Sequence, residues 1–401
     1  MTEAFRVRIP DAEVDDLRRR LRDTRWATRI EGAGWDYGID DDYLRALVDY
    51  WINEFDWRRQ EAELNAWPQL RATVGGHVVH ALHVPGRGPA PLPLVLSHGW
   101  PSSIVEWQKV IGPLTDPAAH GGDPADAFTV VAPSLPGYGF SQIPTAPEMT
   151  PRRIASLWAE LMAALGYQRF AAHGCDWGSY VTALLGLDFP SRVVGVHMGM
   201  LSLSAASASR PASADAAAED EAYRQRVRRW REREQGYVAI QSTKPQTLAY
   251  GLTDSPAGLA AWITEKWSAW TDCGGRLDDV IPRDVLLANI AIYWFTKTIN
   301  SASRLYKESR DHPVRLAPGQ RVEVPSGFLL ETASAADTAP STASAGRIGA
   351  PPRARAEAAF NVQRWTPVAR GGHFPALEIP DVFVAELREF FRPLRAAVTS
   401  R

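Results

Sequence analysis

The sequence predicts an α/β fold in which a mostly parallel β-sheet carries helices on both faces. Three observations favour it. Short, nearly continuous apolar runs alternate with helical patterns, several of these runs end in turn residues, and a helical block interrupts the alternation before the sheet pattern resumes. The 401 residues, 45% hydrophobic and 22% charged, suffice for one large domain with insertions or for two domains.

The N-terminal segment is predicted to be a helical meander that leads into the first strands. The stretches "PDAEVDDLRRRLRDTRW" and "DDDYLRALVDYWINEFDWRRQEAELN" carry apolar residues at helical spacing. Residues 71–84, "RATVGGHVVHALHV", then alternate as a strand does, with a Gly-Gly turn. We therefore assign residues 1–90 to this segment.

Four apolar runs are predicted to form the first part of the core, residues 91–201. They are "LPLVLSHG" (92–99), "FTVVAPS" (128–134), "RFAAHGCD" (169–176) and "VVGVHMG" (193–199). A helical lid, residues 202–320, is expected to be inserted after the sixth predicted strand.

The sheet pattern resumes after the lid and is assigned to residues 321–401. The two predicted strands here are "VEVPSGFLL" (322–330) and "NVQRWTPV" (361–368), and a final helix, "PDVFVAELREFFRPL", follows.

Charge and composition argue against several kinds of partner. A net charge of -2 and a pI near 6.5 give no electrostatic case for nucleic acid or an acidic membrane. Two cysteines are too few for a disulfide framework and fit a reducing compartment. The N-terminus lacks the pattern of a signal peptide, and no apolar run approaches ~18 residues. We therefore expect a cytoplasmic protein with no membrane or nucleic-acid partner.

The stretch "GCDWG", Gly174 to Gly178, has the pattern of a nucleophile elbow. It follows an apolar run and precedes a helical pattern, and small residues flank the central position because the turn is tight. Asp176 stands where a hydrolase with this elbow usually has serine. The plainer alternative is a buried aspartate that caps a helix in a chance Gly-x-Asp-x-Gly.

Two further motifs favour the elbow. "HGWP" follows the run "LPLVLS", where an α/β-hydrolase supplies a backbone N–H, here that of Trp100, to an oxyanion hole. The second N–H would be that of Trp177. "GGHFPALEIP" places His373 after the last strand and before the final helix. A nucleophile followed by a histidine as the last member is the chain order of an α/β-hydrolase core.

An aspartate in the elbow points to displacement at an sp³ carbon. A carboxylate with an ordinary pKa of about 4 is already an anion at neutral pH, and it can form an alkyl-enzyme ester. His373 would then activate the water that hydrolyses this ester. The pattern therefore favours epoxides or alkyl halides over peptides and ordinary esters.

These motifs resemble the microsomal-type epoxide hydrolases, and the likeness covers most of the chain. "IPDAEVDDLRRRLRDTRW" and "FDWRRQEAELN" look like the N-terminal domain of that family, "HGWPSS", "PSLPGYGFS" and "GCDWGS" like its core, and "GYVAIQSTKPQTLAYGLTDSPAGLAAWITEKWSAWTD" and "RLYKE" like its lid. The resemblance implies a nucleophilic Asp176 and a base, His373. It also implies that Tyr237 and Tyr306 donate their hydroxyls to the epoxide oxygen.

The expected partner is a small-molecule epoxide. The tryptophans of the lid leave an aromatic epoxide open, and a homodimer is left open as well. We expect no cofactor. We also expect no metal, because His77, His80 and His83 are three residues apart and successive ones face opposite sides of a strand.

The acid that completes the triad does not stand where the family has it. Counting forward from "VPSG" reaches a serine, and counting back from "PPR" reaches Arg347. Glu331 and Asp337 are the nearby acids. We predict Asp337 as the partner of His373, because it lies on the loop and not at the strand end. The alternative is a solvated charge on that loop and no acid at all.

Other functions stay open beside hydrolysis of an epoxide. A haloalkane dehalogenase shares the aspartate elbow, but it lacks the N-terminal helical domain and the paired tyrosines of the lid. A biosynthetic enzyme could activate an epoxide and open it with another nucleophile. A ligand-binding relative without turnover has only the unplaced acid in its favour, and retention of Asp176, His373 and both tyrosines argues against it.

Overall fold

The computed structural model describes residues 2–203, 213–332 and 347–396, and in these residues nine strands form one sheet. The strands are β1 (Thr2–Phe5), β2 (Gln69–Val74), β3 (His77–Val84), β4 (Leu92–Ser97), β5 (Phe128–Pro133), β6 (Phe170–Gly174), β7 (Val193–Met198), β8 (Val322–Glu331) and β9 (Phe360–Val368). Their order across the sheet is β1-β2-β3-β5-β4-β6-β7-β8-β9.

The larger part of the sheet is parallel, which confirms the predicted fold class. β1, β2, β3 and β5 pair antiparallel in turn, and every pair from β5 to β9 across the sheet is parallel. All residues of β4, β5, β6 and β7 are buried, which accounts for their unbroken apolar sequences.

One strand was not predicted, and it changes the count before the lid. β1 consists of "TEAF", which is too short to show an alternating pattern, and it pairs with β2 at the edge of the sheet. The helical block therefore follows the seventh strand in the chain, and not the sixth.

Helices precede, alternate with and follow the strands of the described residues. They are α1 (Asp11–Arg22), α2 (Asp41–Asn53), α3 (Trp57–Leu64), α4 (Ile111–Thr115), α5 (Pro151–Ala164), α6 (Trp177–Asp188), α7 (Ala214–Glu234), α8 (Gly236–Thr243), α9 (Pro245–Asp254), α10 (Pro256–Trp270), α11 (Arg283–Thr296), α12 (Ile299–Asp311), α13 (Arg353–Glu357), α14 (Pro375–Glu378) and α15 (Pro380–Phe391). Among these helices, none has both the length and the apolar composition of a membrane span.

The block α7–α12 lies between β7 and β8 in the chain, and its helices pack on one another and on the N-terminal helices. α12 contacts α8 and α9, and α10 contacts α1 and α2. Polar contacts also join the N-terminal helices to the block. The Tyr43 hydroxyl of α2 donates to Asp278, which follows α10, over 2.6 Å, and Arg20 of α1 pairs with Asp254 of α9 at 2.9 Å. The N-terminal helices therefore support this helical block.

Candidate active site

Asp176 lies in a sharp turn between β6 and α6. Its backbone has φ 51° and ψ -124°, a conformation that a residue with a side chain rarely adopts. The glycines on either side are required by close packing: a Cβ on Gly178 would collide with the Ser97 carbonyl oxygen, and one on Gly174 would collide with the Gly178 carbonyl oxygen. The local geometry is therefore that of a nucleophile elbow, in which strain holds the central side chain above the sheet.

The two carboxylate oxygens of Asp176 have different surroundings. Oδ1 accepts a hydrogen bond from the Trp100 backbone N–H over 2.9 Å, whereas Oδ2 lies 3.6 Å from His373 Nε2. Burial raises the pKa of Asp176, and the charge of His373 and the backbone N–H groups of Trp100 and Trp177 oppose that rise. The structure thus brings together the candidate nucleophile, the candidate base and both predicted backbone donors.

Tyr237 on α8 and Tyr306 on α12 meet above the elbow, in an aromatic cluster. Their ring centroids are 5.8 Å apart, and Trp100 stacks on the Tyr237 ring at 5.1 Å. Tyr306 also packs edge-on against Trp177, at 4.8 Å. Burial raises the pKa of both phenols well above the ordinary value of 10, so both keep their protons at neutral pH. They can therefore act as donors to a negatively charged oxygen.

His373 lies on the loop between β9 and α14 and is flanked by aromatic rings. Trp270 and Phe374 each lie 4.9 Å from its ring centroid. Burial lowers the pKa of His373, and the Asp176 charge opposes that shift. A neutral imidazole at physiological pH is the form that can accept a proton from water.

The predicted triad acid is the one site residue whose position cannot be compared with the structure. Asp337 lies outside the described residues. Glu331 ends β8 and is opposite Val368, the last residue of β9. Arg347, which one count placed at the position of the acid, is buried, and its Nη1 lies 3.4 Å from the Gly371 carbonyl oxygen and 3.2 Å from Asp272 Oδ1.

Two glutamates near the site were missed by the sequence analysis. Glu106 is 1% exposed in the turn after "HGWPSS", and burial raises its pKa to about 8. Glu378 ends α14, and burial raises its pKa to about 7 although three backbone N–H groups oppose the shift. Glu106 follows the motif "HGWPSS", and Glu378 lies within "GGHFPALEIP". A charged residue in a mostly apolar stretch beside a site motif could have identified both.

Two of the three histidines of β3 form hydrogen bonds with other side chains of the protein. His80 Nδ1 and Nε2 lie 2.9 Å from Ser134 Oγ and Gln69 Oε1, and His83 Nε2 lies 2.9 Å from the Tyr167 hydroxyl. Within the described ranges, no three potential metal ligands come together.

A groove of about 730 Å³ lies away from the elbow. It is formed by the segment 24–42 of the N-terminal meander and the start of α10, and it includes none of the predicted site residues.

The chain is similar to proteins of one kind along nearly all of its length. Residues 2–107 match the family model described as epoxide hydrolase N terminus, and residues 93–252 match that of the alpha/beta hydrolase fold. A protein of Stigmatella aurantiaca (strain DW4/3-1) is 38% identical over 98% of this chain and 85% of its own length. Epoxide hydrolase 1 of Oryctolagus cuniculus is 33% identical, with 96% and 88% covered. The solved structure of Aspergillus niger epoxide hydrolase superposes with a TM-score of 0.83, at 28% identity over 98% of this chain and 97% of that one.

Proposed function

The chain belongs to the epoxide hydrolase family, and we propose that it opens an epoxide to a vicinal diol through an ester on Asp176. The observation that carries this proposal is the pair of unlike oxygens on Asp176. One is held by the Trp100 N–H, while the other lies beside His373. A carboxylate in an elbow suits attack on an sp³ carbon, as argued above.

In the first step, Asp176 Oδ2 attacks a ring carbon of the epoxide and the C–O bond of the ring breaks. The electron pair of that bond goes to the epoxide oxygen, to which Tyr237 or Tyr306 donates a proton. Two donors that are already in place stabilise the developing charge without reorganisation. The product of this step is a hydroxyalkyl ester of Asp176 and one tyrosinate.

In the second step, His373 accepts a proton from water, and the resulting hydroxide adds to Asp176 Cγ. The charge that develops on Oδ1 faces the backbone N–H groups of Trp100 and Trp177. Collapse of this intermediate breaks the ester bond and releases the diol. The two protons of the water, one on His373 and one on the new carboxyl group of Asp176, go to the alkoxide and the tyrosinate. Asp176 returns to the carboxylate and retains one oxygen atom from water.

The walls of the site favour an apolar epoxide, and we propose an aromatic one. Rings of Trp100, Trp177 and Trp270 surround the two tyrosines at centroid distances between 4.8 and 5.8 Å. Aromatic faces and edges bind aromatic groups by offset and edge-on packing. Both cysteines, Cys175 and Cys273, are free and buried, which is consistent with the proposed cytoplasmic location.

The test is the intact mass of the protein after incubation with styrene oxide, an aromatic epoxide. His373→Ala should accumulate a species that is heavier by one substrate molecule, because alkylation does not require the base and hydrolysis does. Asp176→Asn should show no such species. The matched control is His120→Ala, an exposed histidine, which should turn over without accumulation. Retention of full activity by Asp176→Ala would contradict the mechanism.

A second candidate is an enzyme that opens the ester or the epoxide with a nucleophile other than water. The observation that favours it is Arg347, which occupies the position where one count expects an acid. Wild-type protein that forms the ester from styrene oxide, and yet releases no diol in water, would support this candidate. Steady production of diol would support hydrolysis.

A further inference from the structure

The loop that carries His373 is held in place by hydrogen bonds to residues that lie outside the loop. Four consecutive backbone N–H groups, those of residues 371–374, donate to such acceptors over 2.8–3.0 Å. Gly371 donates to Asp272 Oδ2, Gly372 and Phe374 donate to the two oxygens of Glu378, and His373 donates to the Trp270 carbonyl oxygen. Two of these acceptors, Trp270 and Asp272, stand at the end of the lid helix α10.

Glu378 joins the two sides of this contact. Its Oε2 accepts from Gly372 N of the loop and also from Asp272 N of the lid, both over 2.8 Å, while Oε1 accepts from Phe374 N. One carboxylate thus accepts from three partly buried backbone donors.

The loop and the end of the lid are also in direct contact. A Cβ on Gly372 would collide with the Trp270 carbonyl oxygen, and Phe374 stacks on Trp267 of α10 at 4.6 Å. The His373 ring itself packs against Trp270. The position of His373 relative to Asp176 therefore depends on how the loop is seated on residues 267–272.

We propose that Glu378 is a positioning residue for the base: it fixes the His373 loop to the end of α10 so that His373 Nε2 faces the ester on Asp176. The inference rests on the proposed function, because it concerns the step in which that ester is hydrolysed. Only a carboxylate offers two acceptor oxygens and no donor at this point. Glutamine would turn an N–H₂ group toward one of the three N–H groups.

The two chemical steps should respond differently to the loss of Glu378. Asp176 attacks the epoxide without help from His373, so Glu378→Gln should change the rate of alkylation by no more than about twofold. Hydrolysis requires the imidazole at the right position. A misplacement of about 1 Å can cost on the order of a hundredfold, so this rate should fall about ten- to a hundredfold. A purely structural role would slow both steps together or only lower the melting temperature.

The experiment is rapid-quench analysis of a single turnover of styrene oxide, in which ester and diol are quantified separately. Glu386→Gln is the matched control. Glu386 is buried and, like Glu378, hydrogen-bonded, on the neighbouring helix α15. Its partners are His197, Arg364 and Thr366, none of which belongs to the His373 loop or the lid. Ester should accumulate in Glu378→Gln and not in Glu386→Gln.

Each outcome of this experiment has one meaning. Equal slowing of both steps in Glu378→Gln, or unchanged hydrolysis, overturns the inference. If Glu378→Gln does not fold, Asp272→Asn keeps Glu378 in place, weakens the contacts of Asp272 with Gly371, Arg347 and Arg370, and should still slow hydrolysis selectively. The inference is likewise overturned if it does not. The proposed function fails separately, if His373→Ala forms no ester.

Discussion

Removal of both hydroxyls from the lid tyrosines should slow ring opening more than any other change that leaves Asp176 in place. Loss of one donor aimed at a developing oxyanion typically costs about 10²–10³ in rate. Tyr237 and Tyr306 are 8% and 6% exposed, so bulk water cannot replace a lost donor. We therefore expect Tyr237→Phe and Tyr306→Phe each to slow alkylation by at least about 10²-fold.

The double variant should be slower than either single variant, though by less than the product of the two effects. The Tyr237 and Tyr306 rings lie 5.8 Å apart, so removal of one hydroxyl also changes the surroundings of the other. Neighbouring groups that share a partner are not additive. We expect alkylation to fall by about 10³- to 10⁴-fold in Tyr237→Phe/Tyr306→Phe.

Alkylation can be measured in a single turnover by stopped-flow tryptophan fluorescence, because Trp100 and Trp177 lie next to both tyrosines. Tyr167→Phe is the control. It removes a phenol that binds His83 over 2.9 Å, at the other end of β6 from the elbow. Alkylation at the wild-type rate in the double variant would refute the role of the tyrosines.

Two further predictions concern an ion pair of the core and the triad acid. Burial raises the pKa of Glu386, but its hydrogen bonds with His197, Arg364 and Thr366 outweigh this and lower the pKa to about 2. A carboxylate with a lowered pKa stabilises the fold at neutral pH, and this stabilisation is lost as the pH falls from about 4.5 to about 2. Glu386→Gln should therefore lower the free energy of unfolding by about 2 kcal/mol at pH 7, after allowance for screening, and by less at pH 3. Equal losses at both pH values in urea titrations would contradict this. Asp337→Asn should slow ester hydrolysis far more than alkylation in rapid-quench experiments; a stall in Glu331→Gln alone would identify Glu331 as the acid instead.

The parts of the site that could be predicted from the sequence are those carried by short motifs. Gly174, Asp176 and Gly178 are neighbours in the chain, and the tight turn dictates their residue types. "HGWP" and "GGHFPALEIP" are likewise local, and each stands next to a strand whose apolar sequence shows where it ends. For the same reason the predicted strands agree with the structure to within one or two residues.

Contacts between distant segments could not be predicted. Asp272 meets Gly371 across 99 residues and Glu378 across 106 residues, and no pattern in the chain brings the end of the lid to the histidine loop. β1 was not predicted because its four residues have no alternating pattern of apolar and polar side chains. All four nevertheless pair with residues of β2. Arg347 illustrates the limit of counting along a loop: the count gives a position in the chain and not a position in space.

A single turnover in water labelled with oxygen-18, with enzyme in excess over styrene oxide, tests the covalent mechanism most directly. If Asp176 forms the ester and hydroxide attacks its Cγ, the label enters the Asp176 carboxylate, and the first diol released carries no label from water. Mass spectrometry of the peptide that contains "HGCDWGSY" and of the diol reads both sites. Label in the diol after one turnover, with none in the peptide, would mean that water opens the epoxide directly and that no ester on Asp176 is formed.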